Sequence, residues 1–278
     1  MPALRISAIS FLNTAPLMWD FEHTPLGRGF EISYTVPSLC ADALRTGAAD
    51  IGIIPAVAYA GIPGLVLLPE VAIAAKNSVR SILLVSKAPL EKINSVAIDS
   101  SSRTSVALVQ ILFQRWYGGA RRLTSMPPDL EKMLATADAA LLIGDSALRV
   151  DRQKYHVYDL AAEWRRLSGK PFVFAFWAVR EAALLSAPPN LDLASIFQDS
   201  RDHGLQPKNL ETLAREWSPR IGLTPPEIKE YLTRNIDYSL DSDNLEGVEL
   251  FFRYAAECGL IAHVPHLRFI EAIIPAKT

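Results

Sequence analysis

Cysteine is scarce: Cys40 and Cys258 are the only two in 278 residues. They lie far apart, show no metal-ligand spacing and make no disulfide framework, so both are expected to be buried free thiols in apolar helices. The chain has no CxxC, HExxH or GxSxG, and no glycine-rich phosphate loop. Those absences remove the usual signatures of zinc, serine-hydrolase and nucleotide chemistry. Of the five histidines only His263 and His266 have a metal-like spacing. They have no acidic or cysteine companion, and Pro265 breaks the helix that would present both together, so neither a metal nor a cofactor is expected. Excess charge is also missing: 28 basic residues face 30 acidic ones, a net of -2. The densest basic pair, Arg121-Arg122, reads as solvated surface, so nucleic acid is not an expected partner. No run reaches the roughly 18 apolar residues of a membrane span, and MPALRISAIS has no basic segment leading into a long apolar one. A cytoplasmic location without a membrane partner is the expectation.

What is present is an ordinary globular composition, 50% hydrophobic and 21% charged, in a chain long enough for one large domain or two smaller ones. Ile6–Ile9 reads as a strand, and Phe30–Val36 as a second that alternates apolar with polar. SLCADALRTG reads as a helix with Ser38 as N-cap, Leu39, Ala43 and Leu44 facing in, and Gly47 as C-cap. Further strands are expected at Ala49–Ile54, Ser78–Lys87, Val96–Asp99, Ala139–Ile143 and Pro171–Arg180. Between Val96–Asp99 and Ala139–Ile143, Val106, Val109, Leu112, Phe113 and Trp116 form a helix face ended by Gly118-Gly119. A strand-then-helix unit is expected within residues 155–169. After Arg180 helical patterns take over, with Thr224, Pro225 and Glu227 forming a capping-box start. This order predicts an α/β fold with a largely parallel sheet. RSILLVSK and FVFAFWAVR read as extended crossovers bounding an inserted domain. The expected division is lobe 1 at 1–86 and 176–278, lobe 2 at 87–175, with a hinge and an interlobe cleft.

Ligands of such sheets lie beyond the carboxyl ends of the strands, so the turns after strands supply the candidates. These are Ser10, Asn13 and Thr14 after the first strand, Pro55 after the third, Ser78 and Arg80 at the crossover, Ser100, Ser101, Ser102, Arg103, Thr104 and Ser105 after Asp99, and Asp145 after Ile143. The run DSSSRTS leads into a helix N-terminus, where orphan N–H groups and the dipole favour an anion. It reads either as a carboxylate site or as a helix cap with spare serines. Arg80 and Arg103 read either as carboxylate partners or as surface ion pairs. On these residues alone, both a binding protein for a small anion and an enzyme remain open.

Five blocks carry a resemblance: ISFLNTAPL, GAADIGIIPAVAY, SVRSILLVS, AIDSSSRTSVALVQILF and ADAALLIGDSAL, in that order along nearly the whole chain. With them the chain resembles the menaquinone-biosynthesis family of periplasmic-binding-protein-like (type II) fold. It is most similar to the branch that dehydrates chorismate in the futalosine route. The sister branch that makes 1,4-dihydroxy-6-naphthoate usually carries cysteine-proline-asparagine at the first turn, where this chain has Phe11-Leu12-Asn13. The resemblance implies a lyase acting on a dicarboxylate, with Asn13 implicated in catalysis and a carboxylate of the substrate itself as base. An amide is no base at neutral pH, but it can polarise or orient. Asp145 is then a pocket hydrogen-bonder, an orienting group or a base. The remaining candidates would bind the carboxylates, and a homodimer is allowed for. The alternatives are a non-catalytic sensor of an aromatic acid and the sister enzyme.

Overall fold

Uninterrupted apolar strands require cover on both faces, and this requirement sets the architecture. The structure is a computed structural model that describes residues 3–185, 187–188 and 191–270; the expected outer limits at 1 and 278 lie outside them. In chain order the strands are β1 (Leu4–Ile9), β2 (Phe30–Thr35), β3 (Ile51–Pro55), β4 (Leu65–Ala75), β5 (Ile82–Ser86), β6 (Ser95–Asp99), β7 (Arg122–Met126), β8 (Ala139–Ile143), β9 (His156–Asp159) and β10 (Phe172–Arg180). They form two five-stranded sheets, β2-β1-β3-β10-β4 and β7-β6-β8-β5-β9. Each sheet is mixed. β1 pairs in parallel with β2 and β3, while β10 runs antiparallel to β3 and β4. β6 likewise pairs in parallel with β7 and β8, while β5 runs antiparallel to β8 and β9.

The two apolar segments expected as crossovers are sheet strands. Every residue of β5 is buried, with Ile82 and Leu84 in the main core and Leu83 and Val85 in a smaller core on the opposite face. β10 is buried from Phe172 to Val179 and belongs wholly to the first sheet. The chain therefore crosses between sheets at 76–81 and 169–171, ahead of the expected changes at 87 and 175. The 76–81 crossing carries Arg80 at φ +62°. There the Val79 and Arg80 N–H groups both donate to the Asp159 carboxylate, at 3.1 and 2.7 Å.

Local signals account for most helix ends. The helix Pro37–Thr46 ends on Gly47 at φ +76° as expected, but it starts at Pro37 with Val36 as N-cap. Proline at the first helical position makes Ser38 an interior residue. Cys40, Ala41 and Leu44 face the core, whereas Leu39 is about half exposed. Cys40 is buried and Cys258 only partly so. Thr224 N–H donates to Glu227 Oε2 at 2.8 Å, one half of the expected capping box. No helix among the described residues is long and apolar enough to cross a membrane.

Candidate active site

β1 delivers the chain into a tight 3-10 turn, Leu12–Met18, every residue of which is buried. The helix Leu193–Gly204 holds this turn in place. Buried Ser200 accepts the Asp20 N–H at 3.0 Å and donates to the Leu17 carbonyl at 2.9 Å. Gly204 lies so close that a β-carbon there would sit 2.1 Å from the Pro16 carbonyl oxygen. This rigid backing presents Asn13 to the space between the lobes.

The second lobe meets the turn with the loops after β6 and β8. Leu12 N–H donates to Asp145 Oδ1 at 3.0 Å. Ser38 N–H donates to the Ser101 carbonyl at 3.1 Å, Val57 N–H to Thr104 Oγ1 at 3.2 Å, and Arg103 pairs with Asp42 at 2.8 Å. Gly144, at φ +62° and ψ −141°, lets the Phe11 ring lie against its backbone. The lobes are therefore closed on each other.

Between them lies a small cavity of about 50 Å³ that opens to solvent. Asn13, Pro55, Ser102, Arg103, Thr104 and Ser105 all line it. The rest of the wall is apolar, chiefly Phe11, Ile73, Ile82 and Phe174, and no carboxylate is among the described lining residues. The helix Thr104–Trp116 points its N-terminus here with Arg103 at the N-cap and no side-chain cap. The serine and threonine hydroxyls thus do not cap that helix through the N-cap position, and its first N–H groups add to an anion-favouring end. Among the described residues no group of three or more His, Cys, Asp or Glu is placed to hold a metal ion.

The other sequence candidates fall elsewhere. Ser10 and Thr14 line a separate groove with Trp217 and Arg220, on the far side of Phe11. Ser100, Ser101 and Asp145 line a third, beside Arg149. Ser101 donates to Asp99 Oδ1 through both N–H and hydroxyl, at 2.9 and 2.7 Å, while burial pushes the Asp99 carboxyl up. Burial also raises the Asp145 carboxyl, against the pull of the Leu12 N–H and Arg149. Ser78 and Arg80 lie at the hinge. Ser78 Oγ accepts from Asn235 Nδ2 at 3.2 Å.

Two buried polar atoms of the first turn lack a partner, Asn13 Oδ1 and Thr14 Oγ1. Beside the hinge lies Tyr231, which the sequence reading did not single out. Its hydroxyl is bonded to that of Ser81 at 2.8 Å. The apolar walls were missed too, since a cavity-facing Phe174 in an aromatic strand looks the same in sequence as a core one. The only hint at Tyr231 was a polar Tyr-x-x-x-Asn spacing inside a helical pattern.

A two-lobed α/β architecture with strand-end turns around an interlobe cavity defines the class of periplasmic-binding-protein-like folds. Solved structures agree with it. A protein from Archaeoglobus fulgidus matches at TM-score 0.67 and 15% identity, covering 93% of this chain and 98% of that one. The periplasmic aliphatic sulphonate binding protein of Escherichia coli matches at TM-score 0.62 and 16% identity, covering 100% and 97%. The sequence relatives are more specific. A family model described as menaquinone biosynthesis matches residues 4–257, and the chain belongs to that family. It is 28% identical to the chorismate dehydratase of Thermus thermophilus over 87% of this chain and 91% of that one. It is 32% identical to that of Campylobacter jejuni over 63% and 68%.

Proposed function

We propose that the protein is a carbon–oxygen lyase of the cytoplasm that removes water from chorismate, giving 3-[(1-carboxyvinyl)oxy]benzoate for menaquinone synthesis through futalosine. One observation carries the reading most. The cavity joins apolar walls, fit for a carbocyclic ring, to a guanidinium, a helix N-terminus and an amide, with no carboxylate among its described lining residues to repel a dianion.

In the reaction the C–H bond at the ether-bearing ring carbon breaks and its electron pair becomes a ring double bond. The C–O bond of the neighbouring hydroxyl breaks, and the hydroxide leaves with that proton as water. Aromatisation drives the step. The proton goes first to the substrate's own enolpyruvyl carboxylate, consistent with a cavity lining that offers no carboxylate base. Asn13 is the catalytic residue. Its unpaired Oδ1 is a buried acceptor, a deficit worth about 1–3 kcal/mol that a substrate hydroxyl would relieve. Its Nδ2 is a donor for the departing oxygen. Ser102, Ser105 and the N-terminus of Thr104–Trp116 hold a carboxylate. Arg103 stays bound to Asp42 and contributes positive potential.

Purified protein mixed with chorismate should yield the benzoate product, lighter by one water in the mass spectrum. Asn13→Ala should lower kcat about 10²- to 10³-fold with a smaller change in KM. Binding of chorismate without turnover at any pH would overturn the enzyme reading and leave a ligand sensor.

A further inference from the structure

Three helical segments of the first lobe start beside the cleft: the turn Leu12–Met18, the helix Pro37–Thr46 and a second 3-10 turn, Ala56–Gly61. A helix start leaves N–H groups that its own ladder cannot satisfy. Here the residue before each segment, Phe11, Val36 or Pro55, gives no side-chain cap. The second lobe supplies the acceptors instead. Asp145 Oδ1 takes the Leu12 N–H at 3.0 Å, the Ser101 carbonyl takes the Ser38 N–H at 3.1 Å, and Thr104 Oγ1 takes the Val57 N–H at 3.2 Å. Each of the three donors is the first or second residue of its segment, so the closed lobes cap one another's turns across the cleft.

The first of these contacts bears on the chemistry. The ladder of the Leu12–Met18 turn opens with the Thr14 N–H donating to the Phe11 carbonyl at 3.0 Å, which leaves the Leu12 N–H outside it. Asp145 fills that place with a carboxylate oxygen, the acceptor a helix N-terminus favours most. The loop that carries Asp145 is itself fixed. Gly144 N–H donates to the Ser81 carbonyl at the hinge, and Ser146 Oγ donates to the Ile143 carbonyl, each at 2.8 Å. Asp145 lines the groove beside Arg149 and not the cavity that Asn13 lines, so it is badly placed to be a base for a substrate held there.

We propose that Asp145 is a positioning residue that acts across the cleft: its carboxylate caps the turn carrying Asn13 from the opposite lobe, so that the amide is fully seated only when the lobes are closed. The assignment rests on Asn13 acting on the substrate as proposed above. It makes closure and the seating of the catalytic amide one event.

Asp145→Ala removes the acceptor and should lower kcat about 10- to 100-fold, the scale of a misplaced reacting group. Asp145→Asn keeps an acceptor oxygen of the same reach and should stay within about fivefold of the parent, the scale of a charge at a helix N-terminus. A base at this position would lose activity equally in both. Asn13→Ala combined with Asp145→Ala should lose no more than Asn13→Ala alone, since the two act as one unit. Asp145→Ser, whose oxygen stops short of Leu12, serves if Asp145→Ala does not fold. A readout independent of turnover is hydrogen exchange of the Leu12 amide. Asp145→Ala should speed it about 2- to 30-fold, the scale of a lost cap, and leave Ile53 in β3 of the same lobe unchanged. Unmoved Leu12 exchange, equal acceleration at Ile53, an Asp145→Asn loss as large as that of Asp145→Ala, or losses that add to those of Asn13→Ala would each overturn the assignment. If the parent protein leaves chorismate untouched, the lyase reading fails, while Leu12 exchange still tests the cap.

Discussion

Replacing Gly144 by alanine should separate the stability of the fold from the closure of its lobes. Gly144 sits at φ +62° and ψ −141°, a region where a side chain costs about 1–3 kcal/mol of backbone strain. That cost applies whether the lobes are open or closed. A second cost applies only when they are closed: the new β-carbon would lie 2.6 Å from Phe11 Cδ2 and 2.7 Å from Cε2, on a ring from the opposite lobe. Forcing such an overlap costs about 1–3 kcal/mol. Set against closure, that lowers the closed population about 5- to 150-fold. Gly144→Ala should therefore lose stability in urea and also raise KM for chorismate. Phe11→Ala in the same chain removes the whole ring, including the Cγ that would lie 2.8 Å from the new β-carbon, but not the strain. The double variant should match Phe11→Ala alone in KM while keeping the stability deficit. If KM stays high in the double variant, the contact between Phe11 and Gly144 is not what limits closure. If stability recovers with KM, the backbone at Gly144 is not strained.

Gly204→Ala places a β-carbon 2.1 Å from the Pro16 carbonyl oxygen, a backbone atom that cannot rotate away. It should cost about 3 kcal/mol by urea titration and lower turnover by tilting the Asn13 turn; a change under about 0.5 kcal/mol would refute the close approach. Asp50 accepts from Arg5 Nε at 2.9 Å, Nη2 at 2.7 Å and the backbone N–H at 3.0 Å, and those bonds hold its carboxyl below the ordinary 3.8. Its ionised form thus stabilises the fold above that value, and the contribution disappears as pH falls through the lower folded value. Because the Arg5 side chain is 40% exposed, the pair is worth about 1 kcal/mol at most. Asp50→Asn should flatten the acid limb of stability against pH, and parallel curves for variant and parent would refute the assignment.

Much of the fold was legible because the patterns that mark strand and helix are local. β1, β2, β8 and the helix Thr104–Trp116 follow from apolar spacing, and Gly47 stops its helix where only a left-handed residue fits. β4 was missed although it has eleven residues. Its apolar run is broken by Pro69 and by Glu70, the latter at φ +65°. β5 and β10 were recognised as strands, but the expected limits put β5 with the first lobe and split β10 between the two, whereas β5 lies in the second sheet and β10 wholly in the first. Both are apolar throughout, and such a strand shows that it is covered on two faces without showing by what. For these two strands sheet membership depends on pairing across long stretches of chain, as between Ile82 and Ile143 or Ala175 and Pro55.

The site was legible to the extent that residue type decides it. Strand-end position puts Asn13, Pro55 and Ser102–Ser105 around one cavity, but it gives Ser10, Ser78, Arg80 and Ser100 the same standing. What separates them is whether a neighbour already uses their bonding capacity. Thr104 accepts from Val57, Arg103 is held by Asp42, and Ser78 accepts from Asn235. Each of those partners lies 47 or more positions away in the chain. Asn13 keeps a buried oxygen with no donor in a turn fixed from behind by Ser200 and Gly204. A fold that closes around an amide and leaves it short of a donor keeps a deficit that a ligand can relieve; Thr14 Oγ1 in the same turn shares that deficit, and the role proposed for Asn13 rests on its being the one of the two that lines the cavity.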